Sequence, residues 1–481
     1  MRIKTIADSD LRREPCRSHW YELLRISTDR GVNSAMTAAI IGGGIAGLTA
    51  AYELVKAGER PFLIDPGQVG GMVRSVSRDG FTLECGPNVL VERPDLKELF
   101  QELQLATDAV YPSVNPYGQY VWHRGRPIKV PTNLIQLLAS PLFTPLTKLL
   151  LPLKLALPGV LPGEIEDCSV EQFFAPLVGT YTARHLIDPV LKGIYGGDVG
   201  VLSARSVFPT LWGAAKRGSS LLAYMRSRKS TGKPPIVVLK GGIQRLTDAL
   251  WQQVASRVEL VPSQVQRITP IDGKRFRLSL AGGRQIEADG CVVTSSGSQL
   301  APLVGLLSEE LADALTNSKY ATLSVVHVRV PRSQPLIPAA FGVLFPGGMP
   351  VDLLGVMFNS LIFPHMAPAN EHLITVVVGG AQAGERIQDE ATLKAEIPGL
   401  LHDLLGISDA RWISMTNWPA AIPQLEVGHY KLIKLLDECE SSNPGIVFAG
   451  VDRGGVGVSD RIRIARESVK RFRRVRIETV V

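Results

Sequence analysis

Gly42, Gly44 and Gly47, with Asp65 following 23 residues after the first of them, are the residues of this chain best suited to chemistry by type and spacing. That chemistry is the holding of a dinucleotide. Gly42 permits a tight turn, Gly44 lets backbone approach a pyrophosphate, and Gly47 lets a helix lie close on the strand before it. The helix start attracts negative charge, and a carboxylate at the spacing of Asp65 accepts ribose hydroxyls. Further on, the loop Gly67-Gln68-Val69-Gly70-Gly71-Met72-Val73-Arg74 sets bare backbone and one cation, Arg74, near the diphosphate or the ring it carries.

Such residues need elements to position them. Ala38-Ala39-Ile40-Ile41 reads as a buried parallel strand, Leu48-Thr49-Ala50-Ala51-Tyr52-Glu53-Leu54 as the following helix, and Pro61-Phe62-Leu63-Ile64 as the strand that delivers Asp65. Strand, turn, helix, strand and acid in this order are far more specific than the glycines alone. Beyond them, Phe81-Thr82-Leu83-Glu84 reads as a strand leading into Gly86-Pro87-Asn88. The α/β pattern restarts at Ile236-Val237-Val238-Leu239 and returns through strands at 258–261, 264–268 and 290–295. Residues 300–435 alternate β-rich runs with helices. Ile446-Val447-Phe448-Ala449-Gly450 is a last buried strand before a glycine turn at 454–457 and a final helix.

At 481 residues the chain is too long for one ordinary core. Its five cysteines, Cys16, Cys85, Cys168, Cys291 and Cys439, show no paired spacing, which fits a reducing, cytosolic setting and neither a disulfide framework nor a zinc site. The eight histidines include no HExxH, so no metal site is expected. The formal charge of +7 is concentrated in residues 461–481, where eight Arg or Lys face two Glu. Ile462, Ala465, Val469 and Phe472 recur there at helical spacing, predicting an amphipathic helix with a basic face, either solvated or set against an anionic membrane surface. No motif for reading nucleic acid accompanies the charge, so no nucleic-acid partner is expected.

Residues 128–163 are leucine-rich and broken by six prolines, and 130–147 carry no charge. Internal prolines argue against a straight span. Short helices in a membrane interface or along an apolar channel are expected instead, weighed against an ordinary buried helical subdomain. Residues 1–35 lack the apolar core of a signal peptide and are expected to be an extension without chemistry.

Several stretches together resemble the protoporphyrinogen oxidases, FAD enzymes of the amine-oxidase-like flavoprotein group. These are the glycine cradle; Glu84-Cys85-Gly86-Pro87-Asn88; Ile194-Tyr195-Gly196-Gly197-Asp198 with 202–209; Phe341-Gly342-Val343-Leu344-Phe345-Pro346; Phe363-Pro364; Val378-Gly379-Gly380; Ile422-Pro423-Gln424 with Gly428-His429; and Gly455-Val456-Gly457-Val458 with Asp460. The resemblance implies an α/β fold: a Rossmann-like FAD-binding domain, a mixed-sheet substrate domain and a helical membrane-facing insertion. The expected parts are an extension at 1–35, FAD-binding segments at 36–107, 236–300 and 441–481, the insertion at 108–225 and the substrate domain at 301–440. It assigns Gly42, Gly43, Gly44, Ile45, Ala46 and Gly47 to the diphosphate, Asp65 to the ribose and Val265 to the adenine side. Gly71, Met72, Arg74, Gly86, Pro87, Asn88, Val89, Trp418, Gly450, Val456, Gly457 and Val458 complete the cofactor site. Phe363 and Leu344 would face the substrate macrocycle.

Two positions depart from that pattern. Gln119 stands where the family carries an arginine for a substrate propionate, leaving Arg124, Arg126 or Lys129 to supply the charge. Asp452 interrupts a run of small residues beside the flavin and is expected to point outward, since it would oppose a reduced, anionic ring.

The activity implied is oxidation of protoporphyrinogen IX to protoporphyrin IX in haem biosynthesis, six electrons in three flavin cycles, with O2 or another acceptor taking the electrons. Flavin N5 carries the chemistry and no catalytic side chain is expected. Coproporphyrinogen III is the alternative substrate. A carotenoid-desaturase-like dehydrogenase and a non-catalytic flavin or porphyrin carrier are the remaining alternatives. A cytoplasmic protein, peripheral at the membrane, with a homodimer and hand-off to the next haem enzyme as candidate associations, completes the expectation.

Overall fold

Short, wholly apolar strands flanked by glycine turns form a sheet that must be covered on both faces. The computed structural model, which describes residues 37–113, 118–162, 165–228, 234–272, 275–337, 340–383 and 389–480 (the backbone only at Leu134 and 476–480), contains such a sheet. Its five strands lie in the order Glu259–Val261, Phe62–Ile64, Ala38–Ile41, Gly290–Val293 and Ile446–Phe448, all parallel. Ala38–Ile41 is buried at every position. The strands come from three distant stretches of chain, 38–64, 259–293 and 446–448. The extension expected at 1–35 lies outside the described residues.

The helix Ile45–Lys56 packs on one face of this sheet, between the helix Arg245–Val254 and the C-terminal helix Val458–Val480. Ile462, Ala465, Val469 and Phe472 are buried there at their helical spacing. Ile236–Leu239, read as a restart of the α/β pattern, does not join the parallel sheet. It pairs instead with Leu90–Val91 and Ala109–Val110 in a small sheet of its own.

A second sheet has seven strands in the order Arg411–Pro423, Tyr320–Pro331, Glu371–Gly380, Leu353–Met357, Ala340–Leu344, Gly118–His123 and Arg126–Lys129. Its pairs are antiparallel except Ala340–Leu344 against Gly118–His123, which makes it mixed. The hairpin 118–129 therefore belongs to this sheet, and the helical part of the expected insertion at 108–225 begins only at Leu134. From there, helices run to Arg228 around a core of Leu142, Phe173, Leu177, Leu202 and Trp212. No helix of the described residues is long and apolar enough to cross a membrane.

The helices Leu134–Ala139 and Pro145–Ala156 turn much of their apolar surface outward. Ile135 is 80% exposed, Leu149 76%, and Leu138, Leu146, Leu153 and Leu157 are exposed as well, whereas Leu151 is buried. Each helix is capped by its own sequence: Asn133 Oδ1 accepts from Gln136 N–H and Thr144 Oγ1 from Thr147 N–H. Leu137, Leu151 and Leu155 hold the other sides of these helices against the helical core, so the exposed leucines are not needed for that packing.

Candidate functional site

Gly42 takes φ +103°, a conformation glycine adopts without strain. A Cβ on Gly47 would lie 1.8 Å from Gly42 O, so only glycine lets the helix close on the turn. A Cβ on Gly44 would meet nothing within 4 Å, so its backbone faces open space at the helix start. Asp65 sits across the cradle: its Oδ2 accepts from Gly43 N–H at 2.5 Å and Oδ1 from Gly67 N–H at 2.7 Å. Thr294, not anticipated from the sequence, closes the back of the turn by donating to Ile41 O at 2.8 Å. The cradle, the open backbone at Gly44 and the adjacent carboxylate fit a dinucleotide diphosphate and ribose.

Gly70 bridges to Gly44, and Gly71 approaches it closely enough that a Cβ would lie 3.1 Å from Gly44 Cα. The loop carrying Met72 and Arg74 is thereby drawn over the cradle. Gly86 lies directly against Met72 O, so the stretch Gly86-Pro87-Asn88-Val89 adjoins that loop. Trp418 Nε1 donates to Cys85 O at 2.7 Å, which ties the seven-stranded sheet to the same stretch. Asn359 Nδ2 donates to Asn88 Oδ1 at 3.3 Å, and Phe363 N–H donates to Asn359 O at 2.8 Å. Met72, Asn88, Trp418 and the turn leading to Phe363 are therefore brought together. Val265 is buried with Ile64 and Val261 behind the strand that ends at Asp65.

Glu84 anchors this region. The residue is 1% exposed, and its carboxyl group accepts from Ser75 Oγ at 2.5 Å and Ile243 N–H at 3.0 Å. Ser75 and Gln244 complete the clamp: Ser75 N–H donates to Gln244 Oε1 and Gln244 N–H to Ser75 Oγ, both at 3.0 Å. Burial pushes the Glu84 carboxyl up to about 7 against the pull of its two hydrogen bonds. An acid two residues before Gly86 was visible in the sequence, but its burial and its partners at 75 and 243 were not.

Gly450 follows the last strand so closely that a Cβ would meet Ser295 O at 2.5 Å. Val456, Gly457 and Val458 form the entry to the C-terminal helix, as expected. Asp452 does not point outward. It is 2% exposed, and its carboxylate accepts from Gly297 N–H at 2.9 Å and Tyr320 O–H at 2.6 Å. These two donors replace the water that an outward carboxylate would have had. Burial, and then the carboxylate it donates to, push the Tyr320 hydroxyl strongly upward. His429 Nε2–H donates to Asp452 O at 2.8 Å, and burial lowers the His429 pKa, which keeps the ring neutral.

The basic face of the C-terminal helix is partly internal. Arg466 is 7% exposed and ion-paired with Glu53, Glu98 and Glu102, so its charge is spent on tying the C-terminal helix to the helices Ile45–Lys56 and Pro94–Glu102.

The substrate residues are less gathered. The pairings Gly342↔Gln119 and Leu344↔Val121 put Gln119 and Leu344 on one sheet face, where Leu344 packs onto Gly193. Gln119 is exposed, as are Arg124, Arg126 and Lys129. Phe363, by contrast, is 1% exposed within the core of the nucleotide domain and presents no open face. Among the described residues no cluster of three metal-ligating side chains occurs.

With this geometry in hand, the chain can be set beside known proteins. The flavin-containing amine oxidoreductase model matches residues 45–458. A mitochondrial protoporphyrinogen oxidase of Nicotiana tabacum is 30% identical over 472 residues, covering 89% of this chain and 92% of its own. A coproporphyrinogen III oxidase of Bacillus subtilis strain 168 is 27% identical over 463 residues, covering 89% and 96%. Among solved structures, a protein provisionally assigned as a protoporphyrinogen oxidase from Exiguobacterium sp. 255-15 superposes with TM-score 0.77 at 24% identity, covering 92% and 99%. Reduced UDP-galactopyranose mutase superposes with TM-score 0.69 at 17% identity, covering 92% and 94%. At these identities the superpositions describe a shared fold.

Proposed function

The chain belongs to the flavin-containing amine oxidoreductase family, and from that footing we propose that it is an FAD-dependent oxidase converting protoporphyrinogen IX to protoporphyrin IX in haem biosynthesis. The observation that carries the reading is the near full-length similarity to the tobacco protoporphyrinogen oxidase, combined with a cradle that fits a dinucleotide. FAD, when bound, supplies a two-electron acceptor for hydride leaving the substrate, with O2 as the proposed final acceptor.

The protein's own residues bind and orient. The cradle 42–47 and the first turn of its helix hold the diphosphate, and Asp65, already fixed by two backbone N–H groups, takes the ribose. Met72, Gly86 to Val89, Trp418 and the entry to the C-terminal helix surround the ring. Leu344 lines the substrate side. Gln119 brings no charge, so the propionate partner comes from the hairpin cations Arg124 or Arg126, since Lys129, in register with Tyr120, lies on the opposite face. No acid–base pair is called for, because the work asked of the protein is orientation and exclusion of water.

The exposed leucine face at 134–157 is proposed to rest on a membrane surface, where an apolar substrate is delivered. Its exposed apolar side chains on two capped helices, too short to span, support lying in the interface. Coproporphyrinogen III is the second reading, favoured by the B. subtilis relative, which is matched over 96% of its length.

The test is anaerobic reduction of the bound flavin by each porphyrinogen, followed by porphyrin fluorescence on admitting air. Faster reduction by protoporphyrinogen IX is the expected result. Faster reduction by coproporphyrinogen III would select the second reading, and a bound flavin that neither reduces would refute both.

A further inference from the structure

The entry to the C-terminal helix is built around a buried guanidinium. Arg461 is 7% exposed, and its hydrogen-bond partners are carbonyls alone. Nη1 donates to Gly450 O at 2.6 Å, and Nη2 donates to the carbonyls of Gly454 and Gly455. Nε has no acceptor among the described residues. Burial pushes the pKa down to about 10, so the group is a cation at neutral pH.

This arrangement orients the loop. In a trans peptide the C=O and the next N–H point in opposite directions. Arg461 draws the carbonyls of Gly454 and Gly455 toward itself, so the N–H groups of Gly455 and Val456 face away from it. Neither they nor the Gly457 N–H find a protein acceptor among the described residues.

Arg453 pairs with Asp437 and Glu440. Two carboxylates act on Arg461. The nearer in effect is Asp460, which pairs with the half-exposed Arg93 and lies against Gly455. The second is Asp452, which is buried and held by Tyr320 and Gly297, where the interior screens poorly.

We propose that Arg461 sets the electron affinity of the flavin: it turns the loop's free N–H groups toward the ring edge and adds a fixed positive charge behind them, which Asp452 opposes. This rests on the flavoprotein reading above and holds whichever porphyrinogen is the substrate. Arg461 is a positioning residue, acting on the ring through the loop and its field.

The experiment is equilibration of the FAD-loaded protein with a reference dye, comparing wild type with Arg461→Gln, Arg461→Lys and Asp452→Asn. In Arg461→Gln the ratio of oxidised to reduced flavin should rise about tenfold at a given dye potential, about 30 mV for a two-electron couple. Arg461→Lys keeps the charge and should stay within about threefold of wild type, although it lacks the guanidinium fork and should retain FAD less well. Asp452→Asn should move the ratio about tenfold the other way. A purely structural Arg461 would weaken FAD retention in both Arg461 variants and leave every potential where it was, which would overturn the proposal. Should neither Arg461 variant hold FAD, Asp452→Asn decides, and a potential at or below the wild-type value refutes it. A wild type that binds no FAD overturns the flavoprotein reading as well, whereas full FAD with unmoved potentials overturns this inference alone.

Discussion

Replacing Glu84 by Gln should change how stability depends on pH more than it changes stability at any one pH. The residue is 1% exposed, and burial raises its carboxyl pKa from 4.5 to about 7. Between those values the folded chain binds a proton that the unfolded chain has released. Stability contributed by this group is therefore fully present below pH 4.5 and is lost as pH rises toward 7, then stays level. A shift of that size corresponds to about 3 kcal/mol at 1.36 kcal/mol per unit. Spread over a chain of this length, with about 2 cal/mol/K of unfolding entropy per residue, it is about 3 °C in Tm. Glutamine keeps the shape and an acceptor for Ile243 N–H but cannot ionise. The assay is thermal unfolding of both proteins at saturating FAD from pH 4 to 8, because bound cofactor itself shifts Tm. The wild-type Tm minus the variant Tm should fall by about 3 °C between pH 4.5 and 7. A level difference would mean that Glu84 keeps an ordinary pKa. A difference that grows with pH would mean that Ser75 and Ile243 outweigh burial and hold the carboxylate charged, refuting the reasoning.

Gly47→Ala should abolish FAD retention while leaving the substrate-side sheet folded, since its Cβ would fall 1.8 Å from Gly42 O; flavin absorbance per protein against far-UV circular dichroism separates the two. Arg466→Met should destabilise by about 2–3 kcal/mol, the lower side of a broken buried pair because Glu98 is exposed, and urea unfolding would read it. Leu149→Ser with Leu153→Ser should lower co-sedimentation with anionic phospholipid vesicles several-fold without changing Tm, because both side chains are exposed; undiminished binding would remove this face from the proposal.

What could be read ahead of the structure was local, and what could not was long-range. Residues 38–65 carry their own instructions: apolar strands, a glycine at positive φ, a small residue at the helix contact and an acid at the end of the next strand. The C-terminal helix was legible for the same reason, since Ile462, Ala465, Val469 and Phe472 repeat at the period of the element they build. Its charge was not. Arg466 counted toward a basic tail, yet its partner Glu102 lies 364 residues earlier, and the pair neutralises what the sum left free. Asp452 was expected outward because a carboxylate near a reduced flavin is unfavourable, and that electrostatic cost was weighed without the donors that offset it. Tyr320 is 132 residues away and Gly297 is 155, distances over which no local pattern announces a hydrogen bond. Likewise the hairpin at 118–129 joins its sheet through a parallel partner at Ala340–Leu344, so it read as the beginning of a helical insertion. The leucines of 134–157 show the reverse limit: a helical apolar period looks the same whether its face meets a core or leaves it open, and only exposure tells them apart.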